Sequence, residues 1–320
     1  MFKDLFAAGL RSLSFTKALA AVTLLGLLMP LSACSTNPTT GRSQFNALSP
    51  EQEVALGTEG KPEMVKEYGG EVAKAELRDY VREVGLKLVV TTAQDDPNIV
   101  QLPWEFTLLN SNVINAFALP GGKVFVSRGL AQKMTNEAQL AAVIGHEIGH
   151  VTARHINDRY TRMMGAQLGL GVVGVFLGGE AGAADLSQLG GQIAQVALMS
   201  YDRKQELESD SLGMRYMTRA GYDPIGARQV MELLAREAGA GGQPEFLSTH
   251  PHPESRIKQI DQLLAGPYAG MTGTSQFKTG EQEFRTRFLG KLAAAFGDEE
   301  NERDRELAMQ HACCLVAAKR

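Results

Sequence analysis

The run Val143-Ile144-Gly145-His146-Glu147-Ile148-Gly149-His150-Val151 constrains this chain more than any other stretch. A step of four residues along an α-helix returns to nearly the same face, one turn on. His146 and His150 can therefore present two imidazoles to one cation. Glu147, about 100° round the axis, stands beside that cation rather than on it, where it can take a proton from an attacking water. Asn136 offers an N-cap, and Gln139 stands three residues later, where a capping-box partner belongs. Ala138, Leu140, Ala141, Ala142, Val143 and Ile144 add the apolar, strongly helical run expected of a buried helix. The bland alternative is a core helix whose histidines bond to backbone, since five-residue motifs also recur by chance.

A catalytic zinc needs three protein ligands and one open position. His155 is a poor third ligand: five residues past His150 is about 140° off its face. Ala153 and Ile156 also stand where the extended metzincin pattern needs Gly and His. His155 is read as a surface residue or as an outer support for a ligand. Glu206 and Asp210, four apart in Gln205-Glu206-Leu207-Glu208-Ser209-Asp210, share one face of a helix. Glu206 can complete a His-His-Glu set, and Asp210 can accept the free N–H of a ligand imidazole. Glu208 falls on a different face and is expected in solvent. Alone, the segment reads as a solvated acidic face; the helix upstream reverses that reading.

In His250-Pro251-His252-Pro253 each proline fixes its own φ and restricts the residue before it. Such a loop can hold an imidazole over a cleft; His252 has no assigned role. The blocks His146-Glu147-x-x-His150, Glu206-x-x-x-Asp210 and His250-Pro251-x-Pro253-x-x-Arg256, with the approach Asn115-Ala116-Phe117-Ala118-Leu119-Pro120-Gly121-Gly122, resemble the HtpX and CaaX-prenyl-protease family of gluzincin metalloproteases. Within it the likeness is to the soluble periplasmic BepA- and LoiP-like branch, over about residues 50–265. No repeat period appears, so tetratricopeptide repeats are not expected.

The resemblance implies an α+β fold: a mainly helical zincin-like domain with a small sheet and an active-site HExxH helix. It implies that His146, His150 and Glu206 bind one Zn2+ per chain, with Glu147 as general base and acid. Asp210 then supports a ligand, Arg256 lends further support, and His250 either fills the open metal position or stabilises the oxyanion. The implied activity is that of a zinc metalloendopeptidase of the bacterial cell envelope, acting on misfolded or misassembled envelope polypeptides. Outer-membrane assembly machinery is the candidate partner. The alternative of another class is a metal-stabilised periplasmic chaperone that holds such proteins without cutting them.

The flanks divide the chain into 1–33, 34–50, 51–265 and 266–320. Lys3, Arg11 and Lys17, an apolar stretch over 18–29 and Leu31-Ser32-Ala33-Cys34 resemble a bacterial lipoprotein signal. That resemblance implies Cys34 as a lipidated mature N-terminus facing the periplasm, and Ser35 after it implies the outer membrane. Simple signal-peptidase cleavage or a retained anchor remains the alternative. Residues 34–50 read as a flexible tether. The tail, with Phe284, Phe288, Leu292 and Phe296, reads either as docked helices or as a partly disordered extension. Three cysteines make no disulfide framework, and Cys313 and Cys314 are assigned nothing. A net charge of −4 without a basic block argues against nucleic-acid binding.

Inside the domain, helices are expected over about 50–68 and 71–93, split at Gly69-Gly70. The second carries an apolar face of Leu77, Tyr80, Val81, Val84, Leu88 and Val89. Trp104, Phe106 and Leu108 alternate as in a half-buried strand. A hairpin over 113–118 and 123–127 leads into a short helix at 128–134. Asn115, Ala116, Phe117 and Ala118 are the chosen open edge for an extended peptide substrate, the other reading being that both strands are fully paired. Residues 163–179, rich in small residues, read as a mobile helical lid, with a bilayer-inserting segment as alternative. Further helices are expected over 200–220, 224–238 and 254–264.

Overall fold

Local chemistry written in the sequence sets where the elements start and stop. The computed structural model describes residues 34–168, 191–240, 242 and 244–297. A hairpin of β1 (Cys34–Thr36) and β2 (Ser43–Phe45) comes first. Ser49 then caps α1 (Pro50–Glu67): its hydroxyl accepts the Gln52 N–H while the Gln52 side chain reaches back to the Ser49 N–H. Gly69 and Gly70, at φ of 79° and 91°, end that helix. Helix α2 (Ala75–Thr92) buries the apolar face expected of it, Leu77 through Val89.

Strands β3 (Glu105–Leu109), β4 (Ala116–Leu119) and β5 (Lys123–Ser127) form one sheet in the order β3-β5-β4. β4 and β5 make the expected antiparallel hairpin, with Ala116 opposite Val126 and a turn through Gly121 and Gly122 at positive φ. β3 pairs parallel to β5 on its other side. Phe106, Leu108, Ala116, Ala118, Val124 and Val126 enter the main core. Phe117, Leu119 and Phe125 face a second cluster with Leu56 and Met64 of α1 and with Ile193 and Ala197. The strand expected to be half-buried at 104–108 is thus covered on both faces from Phe106 onward, because a helical layer lies on each side.

The remaining helices are α3 (Arg128–Lys133), α4 (Glu137–Thr152), α5 (His155–Leu168), α6 (Arg203–Arg219), α7 (Ile225–Gly239), α8 (Glu245–Thr249), α9 (Pro253–Ala265) and α10 (Glu281–Phe284). Residues 191–197 are also helical, and α10 continues through a π turn at Arg285–Leu289. Helix α4 is the centre of the domain: all of its residues are buried, among α2, α6, α7 and the sheet.

Two expectations change at the flanks. Residues 34–45 are not a flexible tether. Asn37 Nδ2 donates to the Thr152 carbonyl at 2.9 Å and Gln44 Nε2 to that of Ala153 at 2.8 Å. The hairpin thereby satisfies carbonyls that the end of α4 leaves open. At the other terminus, Phe284, Phe288, Leu292 and Phe296 lie in the main core, the first two against Tyr80. The folded unit therefore runs past residue 265, and the docked-helix reading holds for 281–297. Residues 1–33, the part of the lid segment from 169 to 179, and 298–320 with Cys313 and Cys314 lie outside the described residues. Among the described residues no helix is long and apolar enough to cross a membrane.

A polar node clamps the start of α4. Glu137 accepts hydrogen bonds from Tyr80 and from Tyr222 (2.7 Å), Lys278 pairs with it at 3.2 Å, and the Ala138 N–H goes to the Thr279 carbonyl. Burial pushes the Glu137 carboxyl up, but the two hydroxyls and Lys278 outweigh it and hold it below the usual range. Glu137→Ala strands two buried hydroxyls and is expected to cost about 2–4 kcal/mol in urea unfolding at neutral pH. Because the folded value is depressed, Glu137 contributes fully above the ordinary 4.5 and loses its contribution as pH falls through the folded value. The gap between variant and parent should therefore close in acid.

Candidate metal centre

The helix that carries His146 is started by Asn136, whose Oδ1 accepts the Gln139 N–H at 3.0 Å. Gln139 Oε1 accepts from Thr135, one residue earlier than a capping box would place it. Helices α4 and α6 meet backbone to backbone. A Cβ on Gly149 would stand 2.6 Å from Ser209 Oγ and 3.0 Å from the Ser209 carbonyl; one on Gly213 would stand 2.8 Å from the His146 nitrogen. Ser209 Oγ donates to the His146 carbonyl at 2.5 Å. Only this close approach lets Glu206, a short reach from its own helix, stand among imidazoles on another.

Four donor groups converge. His146 Nε2 lies 3.0 Å from His150 Nε2, 3.3 Å from His250 Nδ1 and 3.6 Å from Glu206 Oε2. Glu206 Oε1 lies 3.4 Å from His150 Nε2 and 3.0 Å from His250 Nδ1. A tetrahedral ion bound at about 2.0–2.1 Å separates its ligand atoms by roughly 3.3 Å, which these distances bracket. Asp210 Oδ1, 2.9 Å from His146 Nδ1, accepts the N–H there and leaves the Nε2 lone pair facing inward. Burial holds His150 well below the usual histidine value, so its ring is neutral. Lone pairs and a carboxylate pointed at one another repel unless a cation lies between them. Charge agrees at the ligands themselves, because the carboxylates of Glu206 and Asp210 share one guanidinium in direct contact, that of Arg256. The surplus is negative, and a divalent cation offsets it.

Arg256 does more than lend support at a distance. Its Nε and Nη2 grip Asp210 at 2.8 and 2.7 Å, while Nη1 pairs with Glu206 Oε2 at 2.8 Å. Burial pushes Glu206 up; Arg256, His250 and His146 together overcome it and hold the carboxyl well below its usual range. Glu147 differs. It is fully buried, neither of its oxygens has a hydrogen-bond partner among the described residues, and burial raises it against the pull of His250 and His146. A carboxylate raised and left without a partner beside a metal-binding set has the properties of a proton acceptor.

His250 follows α8 and is held tightly. Its ring stacks on Phe246 at 4.3 Å and on Tyr201 at 5.1 Å, and its Nε2 lies 3.5 Å from Glu147 Oε1. Helix α8 is strapped to the sheet by the Phe246 N–H on the Ile114 carbonyl and by Asn115 Nδ2 on Glu245 Oε1 (2.9 Å). Tyr201, which nothing in the sequence singled out, lies face to face with His150 at 3.7 Å between ring centroids, under the Arg159 guanidinium.

Two expectations need correction and a third is narrowed. Of the two readings of His155, outer support for a ligand agrees with the structure and a surface position does not: it is fully buried, with Nδ1 2.8 Å from His150 Nδ1. The angular argument assumed one continuous helix, but α4 stops at Thr152 and Arg154, at φ 56°, turns the chain so that His155 swings back. Glu208, expected in solvent, pairs with His155 at 2.9 Å and Arg42 at 2.7 Å. β4 is an outer strand, as expected, but Asn115, Ala116, Phe117 and Ala118 are buried, so their edge is not open in this conformation.

A model of peptidase family M48 matches residues 76–264. The mitochondrial metalloendopeptidase OMA1 of Schizosaccharomyces pombe is 32% identical over 237 residues, 71% of this chain and 65% of the relative. The beta-barrel assembly-enhancing protease of Escherichia coli is 33% identical over 250 residues, 75% of this chain and 49% of the relative. Human mitochondrial OMA1 is 30% identical over 239 residues, 71% of this chain and 45% of the relative. The chain thus spans about half to two thirds of the length of these relatives.

Gly149→Ala tests the helix contact. A methyl group so close to Ser209 forces α4 and α6 apart, with an expected cost of about 1–3 kcal/mol in thermal or urea unfolding. Metal content measured by elemental analysis should fall with it, since Glu206 retreats from the imidazoles.

Proposed function

The chain belongs to peptidase family M48, and on that premise we propose that it is a zinc-dependent endopeptidase with one ion held by His146, His150 and Glu206. The observation that carries this reading is the convergence of those donors at tetrahedral spacing beside a Glu147 with no hydrogen-bond partner among the described residues. Three imidazoles and a carboxylate suit zinc among the divalent ions. A zinc ion held by His146, His150 and Glu206 would supply Lewis-acid chemistry, polarising a scissile carbonyl and lowering the pKa of an attacking water. Glu147 accepts the water's proton and passes it to the leaving amine; its raised carboxyl and lack of other partners favour both transfers. Asp210, gripped by Arg256, keeps the His146 ring in the tautomer a ligand needs.

His250 stands at the fourth corner, so the resting site is closed by its own loop. Opening requires α8 to leave. The same helix holds Ile114 and Asn115, so its departure also frees the start of the strand Asn115–Ala118 for a substrate peptide. The other reading of His250 is a donor that steadies the oxyanion. The substrates are polypeptides, misfolded or misassembled ones of the bacterial envelope, and outer-membrane assembly machinery is the partner; a relative named as a beta-barrel assembly-enhancing protease supports this. A lipid on Cys34 ties the domain to the periplasmic side of the outer membrane. A closed four-donor set is also the mark of a structural zinc, which favours the alternative of a chaperone that does not cut. An unbonded buried Glu147 speaks against it, since a structural ion has no use for a base.

Glu147→Gln should keep zinc and fold yet cleave an unfolded polypeptide such as casein at least about 100-fold more slowly. Undiminished cleavage would remove Glu147 from the mechanism. His250→Ala, by vacating the fourth corner, is expected to raise casein cleavage at least about threefold, because it removes the cost of opening. A fall in kcat without weaker metal binding would instead assign His250 to the oxyanion.

A further inference from the structure

We propose that His155 is a positioning residue for the metal ligand His150, and that Glu208 and Arg42 complete a relay that holds it from outside the site. The proposal rests on the metal assignment above. His155 is 0% exposed; its Nδ1 lies 2.8 Å from His150 Nδ1, and its Nε2 lies 2.9 Å from Glu208 Oε2. Arg42 Nη2 sits 2.7 Å from that same oxygen.

Hydrogen-bonding chemistry allows one arrangement of protons on two neutral rings. Glu208, ion-paired with Arg42, only accepts, so His155 Nε2 carries the ring proton. His155 Nδ1 is then a lone pair. Two ring nitrogens 2.8 Å apart need one proton between them, so His150 Nδ1 donates. That leaves His150 Nε2, the atom facing His146 and Glu206, unprotonated and ready to bind a metal. The tautomer of a ligand is thus set by a carboxylate one imidazole removed from it. His146 has its carboxylate, Asp210, in direct contact. His150 reaches Glu208 only through His155, which α5 presents because Arg154 breaks the helix before it. Arg42, in the turn of the β1–β2 hairpin, fixes Glu208 from the opposite side.

The experiment measures zinc affinity of the full chain by competition with a chromophoric chelator, together with the visible spectrum of the Co2+ form. His155→Leu should bind zinc about 10–100-fold more weakly and shift the Co2+ bands. His155→Gln should recover most of the affinity, because its amide oxygen accepts where Nδ1 did and its N–H donates to Glu208. Glu208→Ala, at a partly exposed position, should weaken zinc about tenfold, and adding it to His155→Leu should cost nothing more. If His155→Leu does not fold, His155→Gln and Glu208→Ala decide the question. Parental affinity in His155→Leu or Glu208→Ala, equal losses for Leu and Gln, or additive losses in the double variant would overturn the relay. A parent chain that takes up no zinc would overturn the metal assignment and the relay with it; a parent that binds, with variants that match it, removes the relay alone.

Discussion

Two backbones in contact make this site possible. The HExxH turn brings two imidazoles together by helical geometry alone, but a third ligand on another helix depends on the distance between axes. Gly149 against Ser209 and Gly213 against His146 set that distance with no side chain between them. Ser209 then ties the pair by donating to the His146 carbonyl. Helix packing, usually discussed as a source of stability, here determines whether a carboxylate can share an ion with two histidines.

Around that contact lies an unusual concentration of buried charge. Glu206 and Asp210 would each be costly in the interior if alone. Arg256 meets both, and its own charge is secured by them. Glu147 is left out of this pairing, and the difference in environment separates the roles of chemically similar side chains: two carboxylates kept ionised to hold and orient, one pushed towards taking a proton.

Much of this was legible in the sequence where the relevant geometry is local. His146, Glu147 and His150 follow from helical spacing, as does the shared face of Glu206 and Asp210; the glycine turn at 121–122 follows from backbone chemistry. Glu206 was offered as third ligand by its pairing with Asp210 and the need of the helix upstream, and the resemblance to a family added roles for His250 and Arg256. What stayed hidden depends on how distant pieces meet. Tyr201 looks like any aromatic residue until its ring is found on His150. His155 was left between the surface and a place behind a ligand, because a residue other than glycine, Arg154, adopts positive φ, which propensity does not foresee. The buried polar residues of the first hairpin resemble linker composition, and only the open carbonyls at the end of α4 show why they are there. Phe284 and Phe288 were visible as a pattern, but not the tyrosine they would cover.

That hairpin has a mechanical consequence. Cys34 opens β1, and Asn37, three residues later, is already bonded to Thr152. Anything joined to the cysteine is therefore held within about 10 Å of the body of the domain. That end of the chain is a short mount, and whatever it carries stays beside the fold instead of ranging away from it.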